Sequence, residues 1–194
     1  MFAQLDTKSV YSFMDSVVDL NSYVARAKEL GYQALGLMDR DNLYAAYHFA
    51  QLASRNGLRP LIGMEANLFY EGRKIPFRLL AKNNQGYKNL MKLATELSSG
   101  QREFTAFSDY LNAIALILPS EDWEPGMTLG SEVFIGVRPE DAGKEFDYPV
   151  VPLHTVRYFE NADRSTIQML HAISQNVSLS EASICPMNQL LFSP

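Results

Sequence analysis

Acidic and basic side chains follow several of the predicted strands, in positions where they could hold a cation or pair with one another. They are Asp6 and Lys8, Asp39 and Arg40, Glu65, and His154 to Arg157. Carboxylates are ligands of hard divalent cations such as Mg²⁺. Lysine and arginine carry only donors, and arginine does not lose its proton in a protein, so neither binds a metal at neutral pH. The set therefore mixes groups that attract a dication with groups that repel it.

The histidines and serines give little support for a nucleophilic relay. His48 and His171 lie beside apolar residues of predicted helices, so we expect both to be core or half-buried side chains. His154 is closest to the charged strand ends, and a functional role stays open for it. Ser9 and Ser12 have no base at a suitable spacing to activate them.

Composition limits the classes of partner. The chain has 194 residues, enough for one domain with a full core, and its hydrophobic content of 47% is ordinary for a folded protein. Its net charge of −5 disfavours a surface that binds phosphate backbones. The most basic segment, EGRKIPFR (71–78), is also an ordinary strand–turn segment. If the protein acts on DNA, most of the affinity for DNA must come from outside this chain.

The cysteine count and the N-terminal residues indicate the cellular compartment in which we expect the protein. The single cysteine, Cys185, rules out an internal disulfide and fits a reducing compartment, where we expect it to be a structural or exposed thiol. The opening residues lack a basic segment followed by an apolar one, so we predict no secretory signal. Because no apolar run approaches the roughly 18 residues of a membrane span, we expect a cytoplasmic protein that does not contact the membrane.

Apolar spacing predicts strands that alternate with helices. In chain order we expect a strand at 2–5, a helix at 21–30 ended by Gly31, a strand at 34–38, a helix between Asn42 as its cap and Gly57, strands at 59–70 and 74–83 joined by a Glu71-Gly72 turn, a helix with Tyr87, Leu90, Met91, Ala94 and Leu97 on one face, a short helix at 104–111, strands at 112–118, 132–137 and 148–159, and a helix at 161–175. The inner face of the second helix would be Leu43, Ala46, Tyr47, Ala50 and Ala53. About seven strands with intervening helices favour a parallel-rich α/β domain, either a barrel or an open doubly wound sheet. In both, the charged strand ends would lie on one rim.

Ordered motifs occur along most of the chain. They are FAQLDTKSVYSFMD (2–15), ELGYQALGLMDRDNLYAAYHFAQLASRNGLRPLIGMEANL (29–68), LLAKNNQGYKNLMKL (79–93), and LHTVRYFENAD (153–163) followed by MLHAI (169–173). Together they resemble the PHP (polymerase and histidinol phosphatase) domain at the N-terminus of bacterial DNA polymerase III alpha subunits. The resemblance is close over residues 2–93 and loose over 100–147.

This resemblance implies a distorted (β/α)7 TIM-like barrel, a single domain over residues 1–194. In the family, His, Asp and Glu hold divalent metals at the mouth of the barrel for phosphoester hydrolysis, in which a metal-bound water is the nucleophile. The resemblance also implies that the chain is a fragment of a longer polymerase, a DNA-directed nucleotidyltransferase whose palm domain, absent here, binds Mg²⁺.

Most of the family's metal ligands are replaced at the matching positions of this sequence. The family's first His-x-His pair corresponds to Asp6-Thr7-Lys8, and the histidine of its Asp-His-Gly turn corresponds to Arg40, beside a retained Asp39. A histidine near the start of the fourth strand corresponds to Pro76, and the Asp-x-His of the last strand corresponds to Thr155-Val156-Arg157.

Two carboxylates of the family's site remain, Asp15 and Glu65. We therefore expect no catalytic residue and no bound cofactor in this domain; a metal, if one were held, would have Asp6, Asp15 and Glu65 as its ligands. We predict instead that Lys8, Arg40 and Arg157 face the carboxylates Asp6, Asp15, Asp39 and Glu65 in a network of salt bridges and hydrogen bonds that replaces the metal ions structurally. The alternative is that these side chains point into water, where each pair contributes about 0–1 kcal/mol.

Three functions follow from this sequence. The first is a non-catalytic scaffold for replication, whose partners would be the palm and thumb of the same polypeptide and a separate proofreading exonuclease, with DNA reached only through the parent polymerase. The second is a residual metal-dependent phosphoesterase, such as a 3′–5′ exonuclease or a pyrophosphatase. The third is an unrelated α/β enzyme, for which no motif is present.

Overall fold

The computed structural model describes residues 3–130, 132–141, 143–160 and 162–182, so Cys185 lies outside the described residues. The chain forms two compact units. Among the described residues, the first unit comprises 3–39, 44–61, 154–160 and 162–182, and the second comprises 40–43, 62–130, 132–141 and 143–153. Among the described residues, no helix has the length and apolar character needed to cross a bilayer.

Strands and helices alternate along the chain. In order they are β1 (Ala3–Gln4), β2 (Asp6–Thr7), α1 (Leu20–Glu29), β3 (Ala34–Leu37), α2 (Ala46–Arg55), β4 (Arg59–Tyr70), β5 (Arg73–Ala81), α3 (Asn84–Ser98), a 3₁₀ helix (Phe104–Tyr110), β6 (Ile114–Pro119), a 3₁₀ turn (Ser120–Asp122), β7 (Val133–Val137), a 3₁₀ turn (Pro139–Asp141), β8 (Val150–Pro152), β9 (Thr155–Val156) and α4 (Asp163–Gln175). Seven strands form a sheet in the order β1-β3-β4-β5-β6-β7-β8, and β2 pairs with β9. The predicted α/β class is confirmed, and seven strands agree with a (β/α)7 TIM-like barrel.

Helix α1 of the first unit follows from local sequence. Asp19 caps it by accepting a hydrogen bond from the backbone N–H of Ser22 at 2.9 Å, and that bond lowers the pKa of Asp19. Gly31 follows the helix with a φ of 74°, a conformation that glycine adopts without steric cost. The predicted boundaries of this helix are confirmed within one residue.

A buried tyrosine joins α1 to two strands within the first unit. The Tyr23 hydroxyl donates to the carbonyl of Gly36 at 3.0 Å and accepts from Thr7 Oγ1 at 2.9 Å. Its ring stacks on Phe49 of α2 with a centroid distance of 5.9 Å. Burial raises the pKa of Tyr23, so the hydroxyl keeps its proton and remains a donor.

The second unit is built on a hairpin. Glu71 and Gly72 form its two-residue turn, both with positive φ (50° and 78°), as a tight turn between right-twisted strands requires. β4 and β5 are antiparallel, β6 is antiparallel to β5, and β7 and β8 continue the sheet in parallel. Helix α3 buries Leu90, Leu93 and Leu97.

The predicted second helix is wrong in its start and in its facing. Asn42 does not cap α2; its side chain donates to the carbonyl of Arg40, and the helix begins at Ala46. Its buried residues are Ala46, Phe49 and Ala53, whereas Tyr47 is 71% exposed. The buried face of α2 is centred on Phe49, and His48 is exposed, so the expectation that it is a core or half-buried side chain is wrong.

Two smaller predictions also fail. Met91 of α3 is 43% exposed, because the inner face runs through Leu93 instead. The strand predicted at 148–159 is two strands: β8 pairs with β7, and β9 pairs with β2. Pro152, which lacks an N–H for a ladder, ends β8.

Candidate functional site

A buried lysine occupies the end of β2 in the first unit. Lys8 and Asp6 are both fully buried, and the Nζ of Lys8 lies 2.8 Å from Oδ1 of Asp6. The same ammonium donates to the carbonyl of Met38 at 2.6 Å. Thr155 of β9 donates its hydroxyl to Oδ2 of Asp6 at 2.7 Å. Both carboxylate oxygens of Asp6 are therefore engaged by donors of the chain.

Backbone pairing places these groups. β2 and β9 are parallel with Asp6 opposite Thr155, and the N–H of Lys8 donates to the carbonyl of Val156 at 2.9 Å. Gln4 donates its side-chain amide to the carbonyls of Asp6 and His154. A strand pair separated by about 150 residues in sequence is thus fixed by both backbone and side-chain hydrogen bonds.

Two serines hold the carboxylate of Asp39. It accepts hydrogen bonds from the N–H of Ser9, from the hydroxyl of Ser9 and from the hydroxyl of Ser12, each at 2.7 Å. Among the described residues, hydrogen bonds from Ser9 and Ser12 engage Asp39, whereas its neighbour Arg40 pairs with Glu65. The turn after β2 brings the two short hydroxyls to the carboxylate, where they satisfy it without a charge.

Asp15 contacts Arg157 and His171 in the first unit. Arg157 donates its Nε to Oδ1 at 3.0 Å, and Nε2 of His171 lies 3.3 Å from the same oxygen. The side chain of Asp15 is 6% exposed, and those of Arg157 and His171 are 17% and 15% exposed. The predicted pairing of Arg157 with a carboxylate is present, and His171 is nearly buried, as expected.

Glu65 is the charged centre of the second unit. Its Oε1 accepts from Nε of Arg40 at 3.0 Å, and its Oε2 lies 3.3 Å from Nη2 of Arg78. Glu65 and Arg78 are buried, whereas the Arg40 side chain is 41% exposed. Arg78 also donates to the carbonyl of Pro76 at 2.6 Å. One carboxylate is thus shared by two guanidinium groups.

Asp41 fixes the turn that carries Arg40. Its φ is 53°, and its N–H donates to the carbonyl of Glu65 at 2.8 Å. Its carboxylate accepts from the N–H of Asn67 and from Nη1 of Arg102. The backbone of Arg40 forms a parallel bridge with that of Glu65, so the guanidinium lies next to its carboxylate by main-chain geometry.

Within each unit, the structure brings predicted residues together through hydrogen bonds and ion pairs. The first unit holds Asp6 with Lys8 and Thr155, Asp39 with two serines, and Asp15 with Arg157. The second unit holds Glu65 with Arg40. Pro76 contributes its carbonyl to Arg78. Among the described residues, no group of three or more His, Cys, Asp or Glu is arranged to hold a metal.

Sequence reasoning missed Arg78, although a signal for it existed. A two-residue turn at Glu71-Gly72 sets the register of the hairpin, and that register places Glu65 directly opposite Arg78. The basic segment 71–78 was thus interpreted correctly as strand and turn. His171 had no comparable signal, since 156 residues separate it from Asp15.

Comparisons with known proteins identify relatives across nearly the whole chain. "DNA polymerase III subunit alpha" from Streptococcus pyogenes serotype M1 is 45% identical over 193 residues, which cover 98% of this chain and 19% of the relative. The protein of the same name from Bacillus subtilis strain 168 is 33% identical over 126 residues, covering 62% and 11%. The chain therefore spans about a fifth of the length of the first of these relatives.

The comparisons also include a solved structure and a family model. The crystal structure of a proposed metal-dependent phosphoesterase from Bifidobacterium adolescentis has a TM-score of 0.42 and 16% identity, covering 48% of this chain and 32% of that one. The model of the PHP domain matches residues 4–124, well over half of the sequence. This chain belongs to the PHP domain family.

Proposed function

We propose that this chain is a non-catalytic PHP domain of a bacterial DNA polymerase III alpha subunit, in which ion pairs within the chain take the structural place of the metal cluster. In this proposal the domain is a folded platform for the rest of a replicative polymerase. The name and the identity of the streptococcal relative support the assignment to the alpha subunit. The replaced ligands support the loss of catalysis.

The buried pair of Lys8 and Asp6 is the observation that carries the proposal. A metal at this position would need Asp6 oxygens that now accept from Lys8 and Thr155. It would also lie beside an ammonium that has no exposed surface and cannot turn away into water. Removal of one charge from a buried pair costs about 3–5 kcal/mol, so displacement of Lys8 by a dication is strongly unfavourable.

The remaining carboxylates support the same conclusion. Glu65 is shared by Arg40 and Arg78, and Asp15 accepts from Arg157. Guanidinium groups stay protonated at any pH at which the protein folds, so these carboxylates are not freed by titration of their partners. The residues present do not fit a multinuclear metal centre, and no hydrolytic step is derived through one.

The streptococcal relative is about five times as long as this chain, which supports a proposal about partner domains in the same polypeptide. We propose that the domain contacts the palm and thumb of the same polypeptide, with a separate proofreading exonuclease as a further candidate. Nucleotidyl transfer, with its Mg²⁺, belongs to the palm in this proposal. The domain reaches DNA only through that polymerase, in the cytoplasm.

Metal analysis combined with an activity screen tests the proposal. We expect protein purified without chelator to contain Zn, Mn and Mg far below one equivalent by elemental analysis. We also expect no turnover of a 3′-labelled oligonucleotide, pyrophosphate or a p-nitrophenyl phosphoester when Mn²⁺, Mg²⁺ or Zn²⁺ is added. A catalytically active PHP phosphoesterase, run in parallel, shows that the assay detects this chemistry.

Stoichiometric metal together with turnover that Glu65→Ala abolishes would overturn the proposal in favour of a residual phosphoesterase. Turnover that survives Glu65→Ala marks a contaminating enzyme. Lys82→Ala is the surface control, because the ion pair that Lys82 makes with Glu132 is exposed and its loss should leave both measurements unchanged.

A further inference from the structure

A cavity of about 760 Å³ lies within the second unit, apart from the ion pairs around Glu65. It is bounded by the end of β4, the 3₁₀ helix Phe104–Tyr110, the start of β6 and the segment before β7. A volume of about 300–1,000 Å³ is typical of small-molecule sites. No residue singled out from the family's motif lines it.

Aromatic and aliphatic side chains form its walls. Tyr70 and Phe104 meet edge to face with a centroid distance of 5.5 Å, and Phe104 packs on Phe77 at 4.9 Å. Leu129 and Val133 add aliphatic surface from the segment before β7 and from β7 itself. A ligand in this cavity would therefore bury an apolar body against these aromatic and aliphatic side chains.

Hydrogen bonds hold the walls in place without a ligand. The Tyr70 hydroxyl accepts from the N–H of Thr128 at 3.2 Å. The Tyr148 hydroxyl donates to the carbonyl of Met127 at 2.8 Å and accepts from the N–H of Leu129 at 3.3 Å. Because the segment before β7 is tied to two tyrosines, the cavity is preformed and a ligand is spared the cost of ordering it.

The polar groups of the cavity give it a negative charge. Glu71, Glu103 and Glu132 line it, and no lysine or arginine is among its described lining residues. Glu132 is paired with Lys82. For Glu71 and Glu103, the described part of the chain contains no ion-pair partner. Two carboxylates are thus left to meet a positive charge from outside.

We propose that this cavity is a binding site for a small organic monocation: an amine or amidine carried on an apolar, preferably aromatic, body. The rings and leucines take the apolar body, while Glu71 and Glu103 take the cationic head. An anion of the same shape is rejected, because it would place its charge beside two carboxylates with no compensating cation.

A series of three probes that differ only in charge tests the site. The probes are 4-phenylbutylammonium, 4-phenylbutanol and 4-phenylbutanoate, titrated into the isotopically labelled 194-residue chain and followed by amide chemical shifts and calorimetry. We expect the ammonium to bind with a Kd of about 1 mM or below, a value ordinary for a probe of this size. The alcohol should bind more weakly, the carboxylate should not bind, and the shifts should centre on Tyr70, Thr128 and Leu129.

The double variant Glu71→Gln/Glu103→Gln separates charge from shape. It should weaken the ammonium by about three- to tenfold, in keeping with two partly exposed charge pairs, and leave the alcohol unchanged. Glu145→Gln, an exposed glutamate outside the cavity, should change neither. Both variants alter exposed residues, and equal melting temperatures would confirm that they fold.

Three results would overturn the proposal: equal binding of the ammonium and the carboxylate, ammonium binding that the double variant does not weaken, or shifts that lie away from the cavity. Absence of ammonium binding at 10 mM would also overturn it. None of these outcomes bears on the metal site, because none of the substituted residues contacts Asp6, Asp15 or Glu65.

Discussion

At the scale of single residues, the charged groups of this chain fall into two energetic classes. Lys8 and Asp6 are fully buried, so water solvates neither charge, and removal of one leaves the other buried without this ion-pair partner. Lys82 and Glu132 pair on the surface, with side chains 47% and 44% exposed, and water solvates either one when its partner is removed. Removal of one charge should therefore destabilise the protein far more at the Lys8–Asp6 pair than at the Lys82–Glu132 pair.

Lys8→Met should destabilise the protein strongly. The substitution removes the ammonium that lies 2.8 Å from Oδ1 of the buried Asp6, and we expect the free energy of unfolding to fall by about 3–5 kcal/mol. Lys82→Met removes the same charge from an exposed pair and should cost about 0–1 kcal/mol. Urea denaturation followed by circular dichroism measures both. Equal costs for the two variants would show that the Lys8 pair is solvated.

Asp141 makes stability depend on pH. The backbone N–H of Arg138, then Lys144 and Ser120, hold the pKa of this buried carboxyl well below its usual range. A carboxylate with a lowered folded pKa adds stability above its unfolded pKa, and that contribution fades as pH falls towards the folded pKa. The contribution of Asp141 is therefore complete at pH 7 and begins to fade near pH 4, where an unfolded aspartate takes up its proton.

Asp141→Asn should therefore cost about 1–3 kcal/mol at pH 7, the usual cost of losing hydrogen bonds to a charged group. The difference from the parent chain should be smaller at pH 3. Urea denaturation at the two pH values measures it, with the exposed Asp147→Asn as a control that should stay within about 0.5 kcal/mol of the parent. A difference that grows on acidification would contradict the assignment.

Residue pairs were predictable from sequence only where local geometry or a family motif connects them. The pairing of Lys8 with a carboxylate could be expected from the replaced motif, and that of Glu65 with Arg78 from the register of a two-residue turn. The contact of Asp15 with His171 could not be, since it depends on where α4 packs. Nor could the serine partners of Asp39, which depend on the path of the turn after β2.

At the scale of elements, boundaries were predicted well where a glycine or a cap marks them. The β4–β5 hairpin and α1 follow from Glu71-Gly72, Asp19 and Gly31. The start of α2 was missed because Asn42 donates to a backbone carbonyl and leaves the helix uncapped by a side chain. The strand at 148–159 was predicted as one because its apolar residues run on past Pro152, whereas its two parts have different strand partners.

Gly36 of β3 is required by a close approach of two backbones in the first unit. A Cβ at this position would lie 1.9 Å from the carbonyl oxygen of Leu5, so the strands must move apart. We expect Gly36→Ala to cost at least about 3 kcal/mol, the upper end of ordinary overpacking, because the clash is with backbone. Thermal denaturation of the variant measures the loss.

Gly31→Ala is the matched control for that substitution. Gly31 has a positive φ but nothing within 4 Å of an added Cβ, so its cost should be only the left-handed conformation of alanine, about 1–2 kcal/mol. A Gly36→Ala variant no less stable than Gly31→Ala would show that the first unit accommodates a wider strand spacing.

At the scale of the whole molecule, charge limits what the chain can do alone. The chain has seventeen basic and twenty-two acidic residues. Four of the basic residues are paired with carboxylates in the structure: Lys8, Arg40, Arg78 and Arg157. Non-specific affinity for DNA comes from lysines and arginines that replace counterions along the phosphates. With four of its seventeen basic residues in these pairs and an excess of acidic residues, the chain attracts phosphates weakly.

The isolated chain should therefore not bind DNA at physiological salt. Proteins with a basic surface bind non-specifically with a Kd of about 10⁻⁴–10⁻⁶ M, and we expect this chain to fall outside that range. Fluorescence anisotropy with a labelled primer–template at 150 mM NaCl, up to 100 µM protein, should show no saturable change, while a basic helix-turn-helix protein serves as the positive control. A Kd below about 10 µM that rises steeply with added salt would contradict this expectation. It would mean that the exposed lysines and arginines form a patch strong enough to outweigh the net charge. The domain would then contact DNA directly rather than through the rest of a polymerase.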